Sequence, residues 1–272
     1  MPMKSLEIER GEIDFKAFVK RRALESDCVR LIKEPTLLLE GGKPVALYTF
    51  LEQDTTEVVA ALRRIKYQEN ERSAGLKTTS RIFGYMPRVT MRKDFCSVTS
   101  MAREHPREHA LVCGFAEEIS KTYATFFPET YERHMVLTEE KVLPGYRIAG
   151  SPFTSGIINR NNPLKYHFDS GNFKGVASAM IGFRRGVNGG FLAMPEFGLA
   201  FQIAHNSLTI FDGQNILHGV TPIKSVSEDA FRFTAVYYSL QQMWNCKPLE
   251  EEIARIRKVK MERELKRLGR PS

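Results

Sequence analysis

The residues of this chain whose types and order could do chemistry are His167-Phe168-Asp169, then His218, then Arg232. Two imidazoles and one carboxylate in that order are the ligand set of a facial-triad iron site, which leaves one side of the metal open for a co-substrate and O2. His167 and Asp169 are two apart, so on a β-strand they project from one face and one strand can bring both to one metal. An isolated HxD is common by chance. The full order, with strand-like sequence around each member, is far more specific. His218 ends the run Phe211-Asp212-Gly213-Gln214-Asn215-Ile216-Leu217-His218 and is followed at once by Gly219, so it can approach a metal closely. The other histidines read as structural or exposed: His105 and His109 are at helical spacing without a carboxylate partner, and His134 and His205 lie in polar surroundings.

Arg232 lies in Phe231-Arg232-Phe233-Thr234-Ala235-Val236-Tyr237-Tyr238-Ser239-Leu240, where alternation puts Arg232, Thr234, Val236, Tyr238 and Leu240 on one face. A cation pointing into an otherwise apolar barrel needs an anionic partner. A protein carboxylate is the plainer choice. The distal carboxylate of 2-oxoglutarate is the choice that an Arg after HxD and His favours, held by the guanidinium with Thr234 adding a hydroxyl.

These residues must be positioned by strands. From Tyr146 onward the chain reads as short strands punctuated by Gly, Asn and Pro, including Ala177–Phe183, Leu199–Ile203, Ser207–Phe211 and Phe231–Leu240. Asn188-Gly189 before Phe191–Met194 signals a two-residue hairpin. The predicted fold class is α+β: a double-stranded β-helix, a jelly-roll relative of the cupins, over residues 146–245. It is preceded by a helix-rich part over 1–140, packed on it within one domain of residues 1–245, and followed by a charged helix within 246–272. In the first part, helical spacing runs from Phe15 to Arg30, Gly41-Gly42 ends the apolar Leu37–Leu39, and Val45–Leu51 reads as a strand. Thr55-Thr56-Glu57 caps a helix, Arg81–Arg88 is strand or loop, and one helix runs from Pro106 to Phe126 until Pro128 stops it. The tail, Leu249–Leu268, has acids in its first turn and cations later, and reads either as a solvated helix packed by a thin apolar stripe or as a phosphate-contacting helix.

The 272 residues, 42% hydrophobic and 26% charged, are ordinary for a soluble globular protein, and a net charge of +8 favours an anionic partner such as nucleic acid. Lys165, Lys174, Arg184 and Arg185 flank the expected mouth of the site as candidates for phosphate contact. Cys28, Cys96, Cys113 and Cys246 have no CxxC spacing and fit reduced thiols. The N-terminus lacks an apolar signal region and no run is long enough to span a bilayer, so an intracellular, soluble protein with no membrane partner is expected.

Several segments together resemble a known family. They are His167-Phe168-Asp169-Ser170-Gly171-Asn172; Gly189-Gly190-Phe191-Leu192 through Pro195 to Gly198-Leu199-Ala200-Phe201; Phe211-Asp212-Gly213-Gln214 with His218-Gly219; and Arg232 through Tyr238. They look like the TET/J-binding-protein group of iron(II)- and 2-oxoglutarate-dependent dioxygenases, which oxidise the 5-methyl group of pyrimidines in DNA. The likeness is clearest over 146–245 and extends faintly to Arg72-Ser73-Ala74-Gly75 and Phe83-Gly84; the size is similar to compact phage and protist members. The resemblance implies His167, Asp169 and His218 as iron ligands and catalytic centre, and Arg232 and Thr234 on 2-oxoglutarate, with Arg160 and Asn162 near it. It implies Asn172 on a base flipped from double-stranded DNA and Tyr238 stacked on that base. The resemblance also implies that O2 is consumed, with ascorbate as reductant, and that succinate and CO2 are released. Members that oxidise 5-methylcytosine carry a His two residues after the aromatic, where this chain has Leu240; thymine thereby gains on 5-methylcytosine as the expected substrate. DNA association would place the protein in the cytoplasm of a bacterial or phage-infected cell, or in a nucleus, with downstream DNA-modifying enzymes as further partners. Two alternatives stay open: a dioxygenase of the same fold acting on a small molecule or protein side chain, and a non-catalytic DNA-binding protein on a cupin scaffold.

Overall fold

Along Phe231–Tyr238, alternate residues meet different surroundings, and that alternation sets the architecture around the site. Phe231, Phe233, Ala235 and Tyr237 are buried in one apolar cluster with Leu62, Val112, Ile119 and Tyr123 from helices. Arg232, Thr234, Val236 and Tyr238 face a cavity on the other side. A one-residue slip would exchange the two sets, so burying each aromatic, at about 1.5–3 kcal/mol, also fixes the register that presents Arg232.

The computed structural model describes residues 2–72, 76–88 and 95–269, with the backbone alone at 70–72 and 76–77. The first strands are β1 (Lys4–Glu7), β2 (Arg30–Ile32), β3 (Thr36–Glu40), β4 (Lys43–Phe50), β5 (Gln68–Arg72), β6 (Leu76–Met86) and β7 (Ser97–Val98). Helices α1 (Phe15–Phe18) and α2 (Thr56–Arg64) lie among them. A run of helices follows: α3 (Ser100–Glu104), α4 (Pro106–Gly114), α5 (Ala116–Phe126) and α6 (Pro128–Lys141). Next come β8 (Ser155–Arg160), β9 (Leu164–His167), β10 (Ser178–Arg185), β11 (Val187–Gly189), β12 (Leu192–Met194) and β13 (Leu199–Phe201). The series ends with β14 (Ser207–Phe211), β15 (His218–Val220), β16 (Ile223–Ser225), β17 (Phe231–Tyr238) and helix α7 (Leu249–Arg267).

The larger sheet has the order β1-β3-β4-β14-β10-β17-β8-β6-β5, with β7 paired to β6. The smaller has the order β2-β13-β12-β15-β9. The two sheets form the double-stranded β-helix that the strand spacing predicts, with helices covering the outer face of the larger one. Met180, Leu192, Phe201, Phe211 and Val220 pack between the sheets. Among the described residues no helix is long and apolar enough to cross a membrane.

Several local expectations are corrected. The N-terminal part holds more strand than expected: the predicted strand Val45–Leu51 is β4, which forms a hairpin with β3 at Gly41-Gly42 and, through β14, widens the larger sheet. The predicted helix from Phe15 to Arg30 stops at Phe18, because Val19 is extended and Lys20 takes a left-handed φ of 69°. Arg21 then stacks over Phe18 at 4.3 Å and pairs with Asp27. The predicted helix from Pro106 to Phe126 is two helices, α4 and α5, parted at Phe115. Pro128 ends α5 but also opens α6, at the first-turn position where a missing N–H costs nothing. Asn188-Gly189 makes no hairpin with Phe191–Met194. β11 pairs with β16, Gly189 and Gly190 both have positive φ, and the corner sends β12 into the other sheet. A Cβ on Gly189 would lie 2.1 Å from the Pro222 carbonyl oxygen, so the corner requires glycine.

The cysteines also differ from expectation. Cys96 and Cys246 form a disulfide, leaving Cys28 and Cys113 free. The bond lies in an apolar cluster with Val142, Tyr146, Phe173, Val176 and Met243. His134, expected in polar surroundings, is fully buried against Phe153 and Phe173. It meets the Ser239 hydroxyl at 2.8 Å, and burial pushes its pKa down to about 3. Ser73-Ala74-Gly75 of the upstream resemblance lie outside the described residues.

Candidate active site

His167 ends β9 and His218 begins β15, and the two residues are direct cross-strand partners. Asp169 sits two residues past β9 rather than within a strand. Its N–H donates to the Gly213 carbonyl at 2.8 Å, which turns the carboxylate back toward both imidazoles. Asp169 Oδ1 lies 3.7 Å from Nε2 of His167 and 3.7 Å from Nε2 of His218. The three ligand atoms fall within 4.8 Å of one another, close enough for one ion. Each imidazole Nδ1 faces a backbone carbonyl, Lys165 O at 2.8 Å and Ile216 O at 2.9 Å. A carbonyl only accepts, so Nδ1 carries the proton and Nε2 offers its lone pair to the centre. The donor set, geometry and tautomers therefore fit a divalent metal such as Fe(II).

The loop that delivers these ligands is built tightly. A Cβ on Gly213 would lie 2.3 Å from Asp169 Oδ2, so only glycine fits beneath the carboxylate. The Leu217 N–H, next to His218, donates to Glu196 Oε1 at 2.7 Å, and Arg10 pairs with the other carboxylate oxygen at 3.0 Å. That second oxygen makes no well-angled hydrogen bond, so the contact with Arg10 is Coulombic. Burial raises the Glu196 pKa, while the Leu217 N–H and Arg10 oppose the shift.

A cavity of about 290 Å³ extends from this cluster between the two sheets, near the lower end of the range for ligand pockets, about 300–1,000 Å³. Arg232 lies at one end, 1% exposed, with Nη2 donating to Gly190 O at 2.9 Å and Nε without a partner. A Cβ on Gly190 would stand 2.7 Å from that Nε. No carboxylate pairs with Arg232 among the described residues. Burial, reinforced by nearby Arg184, pulls its pKa down to about 9. A buried cation with an orphaned donor fits the carboxylate of a bound dicarboxylate. Thr234 lines the same wall, and Asn162 is fixed beside it by Thr79 and Asn159. At the other end Asn172, Tyr238 and Leu240 line the cavity, with Asn172 Nδ2 donating to Ser178 Oγ at 3.3 Å.

The structure thus gathers His167, Asp169, His218, Arg232, Thr234, Asn162, Asn172, Tyr238 and Leu240 on one cavity. It does not bring Arg160 there: that side chain is exposed, 5.7 Å from the Tyr67 ring, and its neighbour Asn159 faces the cavity. Arg184 and Arg185 do not line the cavity. They pair in register with Arg232 and Phe231, at the far end of β10 from Ser178. Arg184 donates to the Gln202 carbonyl, and Arg185 pairs with Asp229 at 2.6 Å. Lys165 is half-buried in an adjoining cavity, and Lys174 is exposed two residues after Asn172. Asn159, Ser178, Glu196, Gly190 and Gly213 were not anticipated as site residues. Alternation along Ser155–Arg160 would have indicated Asn159; nothing in the sequence marks Glu196.

The Tet/JBP profile, described as the oxygenase domain of the 2OGFeDO superfamily, matches residues 85–241. The chain is 24% identical over 270 residues to thymine dioxygenase JBP1 of Trypanosoma brucei brucei, covering 94% of this chain and 31% of that protein. It is 26% identical over 194 residues to the bifunctional helicase and thymine dioxygenase JBP2 of Leishmania braziliensis, covering 68% of this chain and 17% of that one. The chain thus spans less than a third of these relatives. Among solved structures, NgTET1 in complex with 5mC DNA superposes with a TM-score of 0.62 at 13% identity, covering 94% of this chain and 90% of that one. A 2OG-Fe(II) oxygenase-family oxidoreductase from Burkholderia pseudomallei gives a TM-score of 0.50 at 11% identity, covering 72% and 88%. Both structural likenesses concern the fold.

Proposed function

The chain belongs to the Tet/JBP family of 2OGFeDO oxygenase domains, and from that membership we propose that it hydroxylates the 5-methyl group of a pyrimidine in DNA. The observation that carries the reading is Arg232: a buried cation without a carboxylate partner among the described residues, on the cavity that also holds the His167, Asp169 and His218 donors. His167, Asp169 and His218 hold Fe(II); Arg232 and Thr234 hold the distal carboxylate of 2-oxoglutarate. When bound, the metal and co-substrate couple reduction of O2 and decarboxylation to succinate and CO2 with insertion of one oxygen atom into a C–H bond.

The chain's own residues position and exclude. Met180, Leu192, Phe211, Val220 and Val236 line the cavity with apolar surface that keeps water from the reacting centre. Asn172 offers an amide to the edge of an extruded base, and Tyr238 offers a ring to its face. Leu240, beside Asn172 across an isolated bridge, brings no polar group to that edge. The chain thus lacks the His that 5-methylcytosine-oxidising members carry at this position, which favours thymine, and the thymine dioxygenase relatives point the same way. Residues 1–245 act as one dioxygenase unit with residues 246–272 appended, on DNA inside a cell, with ascorbate keeping the iron reduced. The hydroxymethyl product is a handle for downstream modifying enzymes.

Nucleoside mass spectrometry tests the assignment. Iron-loaded protein with 2-oxoglutarate, ascorbate and O2 is given one duplex of unmodified bases and one containing 5-methylcytosine, with a His167→Ala control. 5-Hydroxymethyluracil from both duplexes, absent with the variant, is expected. 5-Hydroxymethylcytosine alone would transfer the activity to 5-methylcytosine. No oxidised base from either duplex, with metal and co-substrate bound, would overturn the DNA reading.

A further inference from the structure

Helix α7 has an anchored start and an exposed remainder. Of its 19 residues only Glu252 is buried. The Glu252 carboxylate accepts from the Arg88 guanidinium, from the Cys96 N–H at 3.2 Å and from the Lys247 N–H at 2.9 Å. Those groups hold its carboxyl below the usual range against the opposing effect of burial. The disulfide between Cys96 and Cys246 fastens the same corner. This corner adjoins the base end of the cavity: Trp244 packs on Phe173 at 5.2 Å, and the Gln241 N–H donates to the Gly171 carbonyl at 2.8 Å. Phe173 follows Asn172, and Gln241 follows Leu240, both of which line the cavity.

Beyond this anchor the helix carries seven cations against two carboxylates between Ala254 and Leu268, more than half of the chain's net +8. Lys258 and Arg267 have carboxylate neighbours in Glu262 and Glu264, whereas Arg257, Lys260 and Lys266 have none among the described residues. The apolar Ile253, Met261 and Leu268 are exposed and Ile256, Val259 and Leu265 are only half-buried, so no fully buried apolar side chain holds the helix against the body. On so exposed a helix, cations at i, i+3 and i, i+4 repel one another. A partner that neutralises it would stabilise it, and the partner that fits is a polyanion with closely spaced charges.

We propose that α7 is an arm that grips the phosphate backbone of the same duplex whose base enters the cavity. The proposal rests on the DNA reading of the active site and adds where the duplex is held. The cationic stretch is about 20 Å long, matching roughly six base-pair steps at 3.4 Å, each with a phosphate on either strand. Such contacts are independent of sequence and add affinity and placement without choosing the base.

The test is fluorescence anisotropy of the full chain with a labelled duplex across a salt titration, for wild type and a variant combining Arg257→Gln, Lys260→Gln and Lys266→Gln. Fe(II) and 2-oxoglutarate binding and far-UV circular dichroism check that the variant is folded. Each lost phosphate contact removes about 0.9 from the slope of log K against log salt. The variant should therefore show a slope shallower by roughly 2–3 and bind at least about tenfold more weakly at moderate salt. Wild-type slope and affinity in a folded variant, with the wild type producing oxidised base, would overturn the arm and leave the active-site reading intact. A wild type that neither binds nor oxidises duplex DNA would overturn both.

Discussion

Arg232 is 1% exposed, and its Nε has no partner. An arginine buried for structure alone would be paired with a protein carboxylate, and deleting it would leave that carboxylate stranded. Here no such carboxylate lies within reach among the described residues, so Arg232→Gln should leave the melting temperature of the cofactor-free protein unchanged or higher. The same variant should raise the KM for 2-oxoglutarate about 100-fold, in line with truncating one member of a buried ion pair, while Fe(II) binding persists. Steady-state kinetics and calorimetry read both effects; an unchanged KM would remove Arg232 from the co-substrate site. Much at this scale was legible because period-two alternation and the order HxD, His, Arg are local signals. Arg232, Thr234, Tyr238 and Leu240 share one wall for that reason. Arg160, Arg184 and Arg185 were not legible. Whether a surface cation faces the mouth depends on which edge of which sheet it occupies, and Arg184 turns inward onto backbone carbonyls.

At the scale of elements, the pairing of Cys96 with Cys246 spans a sequence separation of 150 residues, which no spacing rule could reveal. In the chain-entropy view a bridge over so long a loop contributes about 4–5 kcal/mol by restricting the unfolded chain. Alkylation of the denatured, unreduced protein should therefore label two cysteines, Cys28 and Cys113, and reduction should lower the melting temperature by several degrees. Labelling of all four before reduction would contradict the bond. In the folded state burial pushes the Cys28 thiol up to about 11 and the Cys113 thiol up to about 12, so both should react slowly at neutral pH. Central strands of the larger sheet were the most legible elements: Ser207–Phe211 was read to its limits and Phe231–Tyr238 nearly so, whereas the short strands Leu164–His167 and His218–Val220 that carry the two imidazoles were not delimited. Helix boundaries at Phe18 and Phe115 escaped because tertiary contacts, such as Arg21 with Phe18 and Asp27, override helical spacing.

For the whole molecule, two sheets close on a cavity that holds the donor cluster of His167, Asp169 and His218, while the buried cation and the base-facing wall lie along one line of residues from Arg232 to Leu240. The double-stranded β-helix was legible from strand density after Tyr146. The broad larger sheet was not, because β3 and β4 join it through pairing with β14 about 160 residues later, a contact without a local signal. The net charge of +8 indicated an anionic partner, but the excess of cations between Ala254 and Leu268 acquires meaning only once that stretch is seen to be exposed, on a helix whose start is fastened next to the base end of the cavity.

The central claim is that the oxidising centre acts on a base in DNA rather than on a small molecule. The most direct measurement is the stoichiometry of succinate to oxidised base under saturating duplex, for wild type and Asp169→Ala. One succinate per hydroxymethyl base, a low background without DNA and neither product from the variant are the expected results. Succinate formed at the same rate with and without DNA, with no oxidised base, would contradict the claim.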